Sequence, residues 1–452
     1  MTRWTGARVA GVLGTGAPPD VAFTGIATDS RNVRSGELFV ALEGERFDGH
    51  QFLEQALQAG ARGAVVRRAT PPLSGLVLFS VQNTLVALGD LARARRREIR
   101  GPVAAVTGSN GKTATRAMLA ATLGARWLTH ATRENLNNLV GVPLTMLEAP
   151  DQTEALVVEC GASEPGEIAR LRGMVEPTVG VVTNVVAAHL LGFGSPDTVL
   201  REKVSLLEGV SFAVVGQRPA ELASLARRVA RRAVTAGLTP GMDVTPDHWH
   251  MDERGRPVLT FRGTRFALPL VGRHQGDNAM VALAVAAELE LDLTAVAGAL
   301  EQVALPHGRC EVVTAGDLVL INDTYNANPA SFSAALEVAR SLRGNRPLVT
   351  LVGTMLELGS ESPALHDQMA EEILALQPDL IGAVGEFAAV FERRRLGARL
   401  IVAPDAEMLG RAVAPRLNGR ELVLLKASRG VQLEQAIPHL LSGREASCST
   451  TC

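Results

Sequence analysis

The chain has 452 residues, enough for about three domains, and its 46% hydrophobic residues can fill several buried cores. Its 45 basic and 47 acidic residues leave a formal charge of −2, too balanced for a protein that wraps nucleic acid or lies on an anionic membrane. Four cysteines without CxxC spacing argue against a disulfide framework or a zinc site, and roughly 18 consecutive apolar residues, the minimum for a membrane span, occur nowhere.

Residues 1–82 carry short strand candidates at 37–42, 63–66 and 76–81 and a helix near 51–59, the pattern of a small α/β module. The start of the chain lacks the apolar core of a signal peptide, so a cytoplasmic protein is expected. Five arginines at 93–100, behind Leu88 and Leu91, read as the solvated side of a linker helix. From 83 to 310 the apolar runs lengthen, and 102–107, Ala155–Glu159, 179–185 and Phe212–Val215 read as buried strands of a parallel, doubly wound sheet. From 311 to 452 a second open α/β set follows, at 318–322, Leu348–Val352, 380–384, Leu400–Val402 and 421–425, with a tail from about 442 expected to be disordered.

In such sheets ligands gather at the carboxyl ends of strands. There the strand at 102–107 runs into Gly108-Ser109-Asn110-Gly111-Lys112-Thr113 and then into a helix with Met118, Leu119 and Leu123 on one side. Glycines let backbone N–H groups reach phosphate oxygens, Lys112 neutralises their charge, and the Thr113 hydroxyl suits Mg²⁺. Val106 stands where the first glycine of a full Walker A loop would be, so the loop is a shortened one. Glu159 closes another strand as a second Mg²⁺ ligand would; a solvated strand-end carboxylate is the alternative. His189 leaves the strand at 179–185 toward the same rim, or is a structural histidine. Lys203 shares an apolar helical stripe with Val199, Leu206 and Leu207. Burial raises the neutral fraction of an amine, and a neutral amine captures CO₂ to become a carbamate, an anionic metal ligand. Snorkelling of Lys203 to solvent is the competing reading.

These segments, with the strand ending VVECGA, TNVVAAHLLGFGS, Lys203 fourteen residues past His189, LPLVGRHQGDNAM, Pro306-His307-Gly308-Arg309 and Asp323-Thr324-Tyr325-Asn326-Ala327-Asn328-Pro329, resemble in this order the Mur ligases. The likeness covers nearly the whole chain. It extends to Thr28-Asp29-Ser30-Arg31 and GELFVALEGERFDGHQF, similar to the family's uridine-nucleotide-binding domain. DTYNANP, ENLNNLVGVP at 134–143 and GTMLELG at 353–359 look most like the branch that adds D-alanyl-D-alanine to UDP-N-acetylmuramoyl-tripeptide.

The resemblance implies three domains: a small N-terminal α/β domain, a central phosphate-loop domain with a doubly wound parallel sheet, and a C-terminal Rossmann-like domain for the amine substrate. It implies a cytoplasmic, monomeric ligase using ATP and two Mg²⁺ ions, with small-molecule substrates and no nucleic acid or membrane partner. Lys112 and residues 108–113 would hold phosphate, with Asn278 on adenine, Arg309 on phosphate and Asp323 near the ribose. Thr113 and Glu159 would hold one metal, and His189 with carbamylated Lys203 the other. Ser30 and Arg31 would meet the uridine nucleotide, Asn137 and Asn138 the muramoyl peptide, and Tyr325 and Asn326 substrate. Closure of the domains around linkers near 83 and 311 would precede chemistry, from an open ligand-free form.

Several positions depart from the family pattern: Ala114, Gln275, Leu191 for a usual glutamate, Thr354 for a usual aspartate, and Ala427 in LLKASRG. The last two put the amine-side contacts, with Lys426, Ser428 and Arg429, in question. Folylpolyglutamate synthetase shares the loop but lacks a uridine-nucleotide domain, and the family member that adds the third peptide residue carries Asp-Asn-Pro-Arg, absent here. A phosphate-loop switch protein would use nucleotide without ligation.

Overall fold

The computed structural model describes residues 4–16, 20–44, 47–186, 190–444 and 447–448. The chain divides into two compact units: Met1–Val106 with Arg126–Ala162 and Gly166–Gly180, and Thr107–Ala125 with Ser163–Pro165 and Val181–Cys452.

In the first unit a parallel four-stranded sheet runs in the order Ile26–Ala27, Leu38–Val40, Gly63–Arg67, Val77–Val81. Side chains alternate across it. Leu38, Val40, Val65 and Phe79 share a core with Trp4, Val9, Leu88 and Leu91, while Phe39, Ala64 and Val66 pack on the other face with Leu53 and Ala56. Both faces are covered, which is why these strands read as continuous apolar runs rather than alternating ones.

The arginine run corrects the expectation of a solvated face. Within the helix Thr84–Arg96, Arg95 and Arg96 are only 2% and 8% exposed. Arg95 donates to the carbonyls of Ala149 at 3.0 Å and Pro150 at 2.7 Å, just past the helix Gly141–Leu147. Arg96 donates to Val175 and Glu176, both at 2.7 Å, where the helix Glu167–Val175 ends. Helix C-termini leave carbonyls unsatisfied and partly negative, and a guanidinium supplies several donors to meet them. A charge count along the sequence cannot separate this use of arginine from solvation.

In the first unit Val103–Thr107, Ala155–Glu159 and Thr129–Ala131 run parallel side by side, and in the second Phe212–Val215 and Ala233–Thr235 do the same; the short strands Thr129–Ala131 and Ala233–Thr235 escaped the sequence reading. So did an antiparallel sheet of His248–Met251, Pro257–Phe261 and Thr264–Ala267 in the second unit.

The second unit also holds a seven-stranded sheet in the order Leu400–Val402, Leu380–Ala383, Leu348–Val352, Leu422–Lys426, Leu318–Asp323, Glu311–Ala315, Ser447–Cys448. Five strands are parallel, and Glu311–Ala315 joins by an antiparallel hairpin to Leu318–Asp323. Leu320, Leu351 and Leu425 face a core with Leu409 and Leu433; Ile321, Val352 and Leu424 face another with Phe332, Ile373 and Phe387. Ser447–Cys448 pairs with Val313 and Thr314, so this part of the tail is placed rather than disordered; residues 445–446 and 449–452 lie outside the described residues. Among the described residues no helix is long and apolar enough to cross a membrane.

Removing the Arg96 guanidinium leaves buried carbonyls unmet, so Arg96→Ala is expected to lower the unfolding free energy by about 2–3 kcal/mol, read from urea denaturation. A pH effect follows from His130, whose imidazole burial pushes below its ordinary value of 6.5, against a hydrogen bond to the Thr145 carbonyl and with Arg133 and Arg95 nearby. The unfolded chain then takes up the proton more readily, so stability falls as pH drops through about 6.5 toward the folded value and levels off below it. Melting midpoints taken from pH 7.5 down to about 5.5 should fall for the natural chain and fall less steeply for His130→Gln.

Candidate active site

The strand Val103–Thr107 delivers the chain into a loop that is fixed by the neighbouring strand end. Gly108 has φ +145°, and a Cβ on it would lie 2.0 Å from Thr183 Oγ1, so only glycine fits. The Thr183 backbone N–H donates to Thr107 at 3.0 Å and its hydroxyl to the Asn110 carbonyl at 2.5 Å. Asn184 holds Asn110 from both sides, accepting from its N–H and donating to its carbonyl, each at 3.1 Å. Ser109 donates its N–H to the Asn184 carbonyl at 2.8 Å and exchanges hydrogen bonds with Val186 through its hydroxyl. Thr183 and Asn184, which the sequence places at the carboxyl-end rim where ligands gather, are therefore the frame of the loop.

The helix Lys112–Gly124 starts at Gly111, which has no side chain to cap it. An uncapped first turn with a positive dipole end is an anion site. Lys112 Nζ lies over the loop, donating to the Gly108 carbonyl at 2.8 Å, and the Thr113 side chain is buried in the first turn. Asn278, on the helix Arg273–Glu288, presses Oδ1 to within 2.6 Å of where a Gly111 Cβ would be. Its Nδ2 donates to Gln275 Oε1 at 3.1 Å, so glutamine at 275 gives Asn278 an acceptor.

Residues of the C-terminal region complete this side of the second unit. The Arg309 guanidinium stacks 3.8 Å from the Tyr325 ring centroid, and Arg429 approaches the same ring at 5.7 Å. Asp323 accepts from Lys426 Nζ at 2.6 Å and from the Cys310 N–H at 3.1 Å. Lys426 is fully buried and also donates to the Asn326 carbonyl at 2.9 Å, so it orients Asp323 from within instead of reaching out to substrate. Asn326 itself is exposed, its Oδ1 accepting from the Ala327 N–H.

Glu311 escaped the sequence reading. Its carboxylate accepts from His307 Nδ1 at 2.6 Å, the Gly308 N–H at 3.1 Å and Asn322 Nδ2 at 2.9 Å. Burial alone would raise its pKa, but these donors outweigh burial and hold it below the usual carboxylate range. It anchors the loop that carries Arg309, and an acidic residue two positions beyond that arginine was the available signal. A small recess here is lined by Leu270, Gln275, Pro306, Arg309 and Glu311 among others. Burial pushes the Cys310 thiol well up, with Asp323 adding to the effect, so it stays protonated.

Thr354 resolves one of the departures. Its Oγ1 accepts the Glu386 N–H at 3.0 Å where the helix Glu386–Glu392 begins, a task an aspartate oxygen would also perform. The adjoining Met355 N–H donates to Nε2 of the buried His366 at 2.9 Å, and Ser428 Oγ accepts from Leu356. Leu191, by contrast, is 75% exposed, so its aliphatic side chain contributes neither charge nor packing.

In the first unit Glu159 is 2% exposed and is no solvated strand end. Its Oε1 accepts from Asn137 Nδ2 at 2.9 Å and its N–H donates to Thr132 Oγ1 at 3.0 Å. Asn137 thus orients this carboxylate. Asn138 Oδ1 accepts the N–H groups of Val140 and Gly141 at the start of the next helix. Ser30 is buried and donates to Gln55 Oε1 at 3.0 Å, whereas Arg31 is exposed and paired with Asp29 at 2.7 Å.

Lys203, in the helix Pro196–Val204, is 2% exposed and its Nζ lies 5.6 Å from the ring centroid of buried Phe193. The side chain does not snorkel. His189 lies outside the described residues.

Family models match in three segments: the Mur ligase family, catalytic domain, at residues 22–96, the Mur ligase middle domain at 106–286, and the Mur ligase, glutamate ligase domain, at 308–429. The UDP-N-acetylmuramoyl-tripeptide--D-alanyl-D-alanine ligase of Bacillus subtilis is 34% identical over 449 residues, 95% of this chain and 96% of the relative. Among solved structures, MurF from Acinetobacter baumannii superposes with a TM-score of 0.88 at 30% identity, covering 98% of this chain and 99% of the other. MurF ligase from Thermotoga maritima in complex with ADP gives 0.80 at 28% identity, covering 92% and 96%.

A methyl group at 108 meets both the Thr183 hydroxyl and the Asn184 carbonyl, in a backbone region that favours glycine. Strain of this kind costs about 1–3 kcal/mol, so Gly108→Ala is expected to weaken ADP binding roughly 10- to 100-fold in a fluorescence titration. Gly124→Ala, with nothing within 4 Å of the added Cβ, should leave that affinity unchanged.

Proposed function

The chain belongs to the Mur ligase family, and from that premise we propose that it joins D-alanyl-D-alanine to UDP-N-acetylmuramoyl-tripeptide at the expense of ATP, in the cytoplasmic assembly of peptidoglycan precursors. The observation that carries this reading is the phosphate loop, whose glycine at 108 is dictated by Thr183 and whose helix begins without a side-chain cap. A loop so framed holds phosphate by backbone donors that need no rearrangement when charge develops.

A carboxylate does not acylate an amine at neutral pH because its oxygen is a poor leaving group. The tripeptide carboxylate therefore attacks the γ-phosphorus of ATP, forming an acyl phosphate and releasing ADP. The free amine of the dipeptide then attacks the acyl carbon, phosphate departs with the C–O bond electrons, and the amine loses a proton as the amide forms. In this reaction Lys112 and the N–H groups of 108–113 neutralise and align the phosphates. Arg309, held by its stack on Tyr325 and by the loop that Glu311 anchors, meets phosphate charge. Asp323, fixed by Lys426 and Cys310, faces the nucleotide sugar, and Asn278 the base.

Thr113 and Glu159 offer the hard oxygen donors that Mg²⁺ prefers, with Asn137 fixing the Glu159 carboxylate. Among the described residues no group of three His, Cys, Asp or Glu gathers as a metal cage; Mg²⁺ beside a triphosphate draws most of its oxygens from phosphate and water. Mg²⁺ held by these residues would supply charge that shields the phosphates against the incoming carboxylate. Buried Lys203 is read as a carbamate, formed when its neutral amine adds to CO₂ with loss of a proton. That converts a cation in an apolar stripe into an anion, which with His189 suits a second Mg²⁺. Ser30 and Arg31 serve the uridine nucleotide, Asn138 the muramoyl peptide, and Tyr325 and Asn326 the substrate side of the C-terminal region. We assign domain limits of 1–82, 83–310 and 311–452 and a monomer.

Phosphate release should require ATP, the tripeptide nucleotide and the dipeptide together; release at the full rate from ATP alone would instead make the chain a nucleotide switch. Lys203→Ala should lose roughly 100-fold or more in turnover and recover part of it with formate or acetate, which restore a carboxylate in place of the carbamate. A variant as active as the natural chain would remove the carbamate from the scheme.

A further inference from the structure

Asn110 and Asn328 are 218 positions apart in sequence, the first in the phosphate loop and the second at the end of DTYNAN, and their side-chain amides pair reciprocally. Asn110 Nδ2 donates to Asn328 Oδ1 at 3.1 Å, and Asn328 Nδ2 donates to Asn110 Oδ1 at 2.8 Å. Both residues lie in the second compact unit. The sequence carries no hint of the pairing; Asn328 stands there only within the Asp323–Pro329 motif.

Asn328 caps the helix Pro329–Arg343, and the capping fixes its aim. Its Oδ1 accepts the Ser331 N–H at 2.9 Å and its own N–H donates to Ser331 Oγ at 3.0 Å, a capping box at the start of the helix Pro329–Arg343. Because the oxygen end must face Ser331, the amide cannot turn over, and its Nδ2 is left pointing to Asn110. Asn110 is as tightly specified from the other direction, since Thr183 and Asn184 hold its backbone on both sides. Two rigidly supported amides thus meet edge to edge, and Asn328 is only 8% exposed. Removing Asn110 would leave the buried Asn328 amide unmet, whereas the Asn110 amide is only half-buried.

We propose that Asn328 is a positioning residue for the ligation: by pairing with Asn110 it locks the phosphate loop into its working shape when the C-terminal region is docked. Transfer of the γ-phosphoryl is then coupled to docking of the region that carries the amine substrate. The coupling rests on the ligase reading given above, but the pair and its hold on the loop do not.

Asn328→Ser tests this, because serine is as good a cap as asparagine but too short to reach Asn110. The expected result is an unchanged melting midpoint and ADP affinity, at least threefold faster amide hydrogen exchange in residues 108–113 of the ligand-free protein, and about a tenfold lower kcat for ligation. Asn110→Ala should lower kcat similarly, and the double variant should be no worse than the poorer single one, as for two residues acting through one contact. Unchanged exchange at 108–113 with unchanged kcat, or losses that multiply in the double variant, would overturn the proposal. A natural chain that hydrolyses ATP without both substrates would defeat the ligase reading, while the exchange comparison would still decide the hold on the loop.

Discussion

Thr183 stands at the end of a buried strand with glycine backbone pressed on it from two sides. A Cβ on Gly108 would overlap its hydroxyl at 2.0 Å, and one on Gly216 would overlap its carbonyl oxygen at 1.8 Å. A protein interior packed to crystal-like density has no slack for either overlap. The hydroxyl, trapped in this way, donates to the Asn110 carbonyl and turns that peptide toward the strand. The phosphate recognition proposed for this loop thus begins one strand away from it. Lys112 can fold over the loop, and the following helix can present its uncapped end, only because the turn between them is already fixed.

Charges in the interior follow the same logic, since each is met by donors or acceptors that also fix its direction. Lys426 and Asp323 form a pair buried at the end of two adjacent strands, in register as Asp323 opposite Lys426. Such a pair is a weak source of stability, because desolvation offsets most of the attraction, yet removing one member strands the other. Its yield is orientation. With Cys310 on the second oxygen, Asp323 has little freedom to rotate. Glu311 gathers His307, Gly308 and Asn322 in the same manner and so sets the loop in which Arg309 lies on Tyr325.

The parallel strands were legible in the sequence because burial on both faces makes them unbroken apolar runs: Ala155–Glu159, Phe212–Val215 and Leu348–Val352 stand where the pattern puts them. Edge strands such as Thr129–Ala131 were not, being short and half-buried, and the three antiparallel strands at 248–267 alternate too weakly to separate from loop. The phosphate loop was legible because its glycines and lysine are obligatory at fixed spacing. What stayed hidden were groups whose work depends on a distant partner. Asn137 aims at Glu159 across 22 positions, Lys426 at Asp323 across 103, and Arg95 reaches carbonyls 54 and 55 residues on. The buried place of Lys203 was readable from the helical period, although the choice between burial and snorkelling needed the fold.

The segment from Asp323 to Asn328 shows why a motif of mostly small polar residues can be so specific. Asp323 faces Lys426; Thr324 donates to Asn322; Tyr325 carries Arg309 on its ring and gives its N–H to Gly308. Ala327 accepts from Ser428, and Asn328 closes on both Ser331 and Asn110. Almost every polar group in the run is spent on a different neighbour, and those neighbours come from the arginine loop, the last parallel strand and the phosphate loop. A displacement at any one of them is therefore transmitted to the others through short, directional hydrogen bonds rather than absorbed by soft packing. On the proposed ligation, which must hold a labile acyl phosphate until an amine arrives, that rigidity keeps the groups assigned to phosphate and those assigned to the incoming amine on one frame.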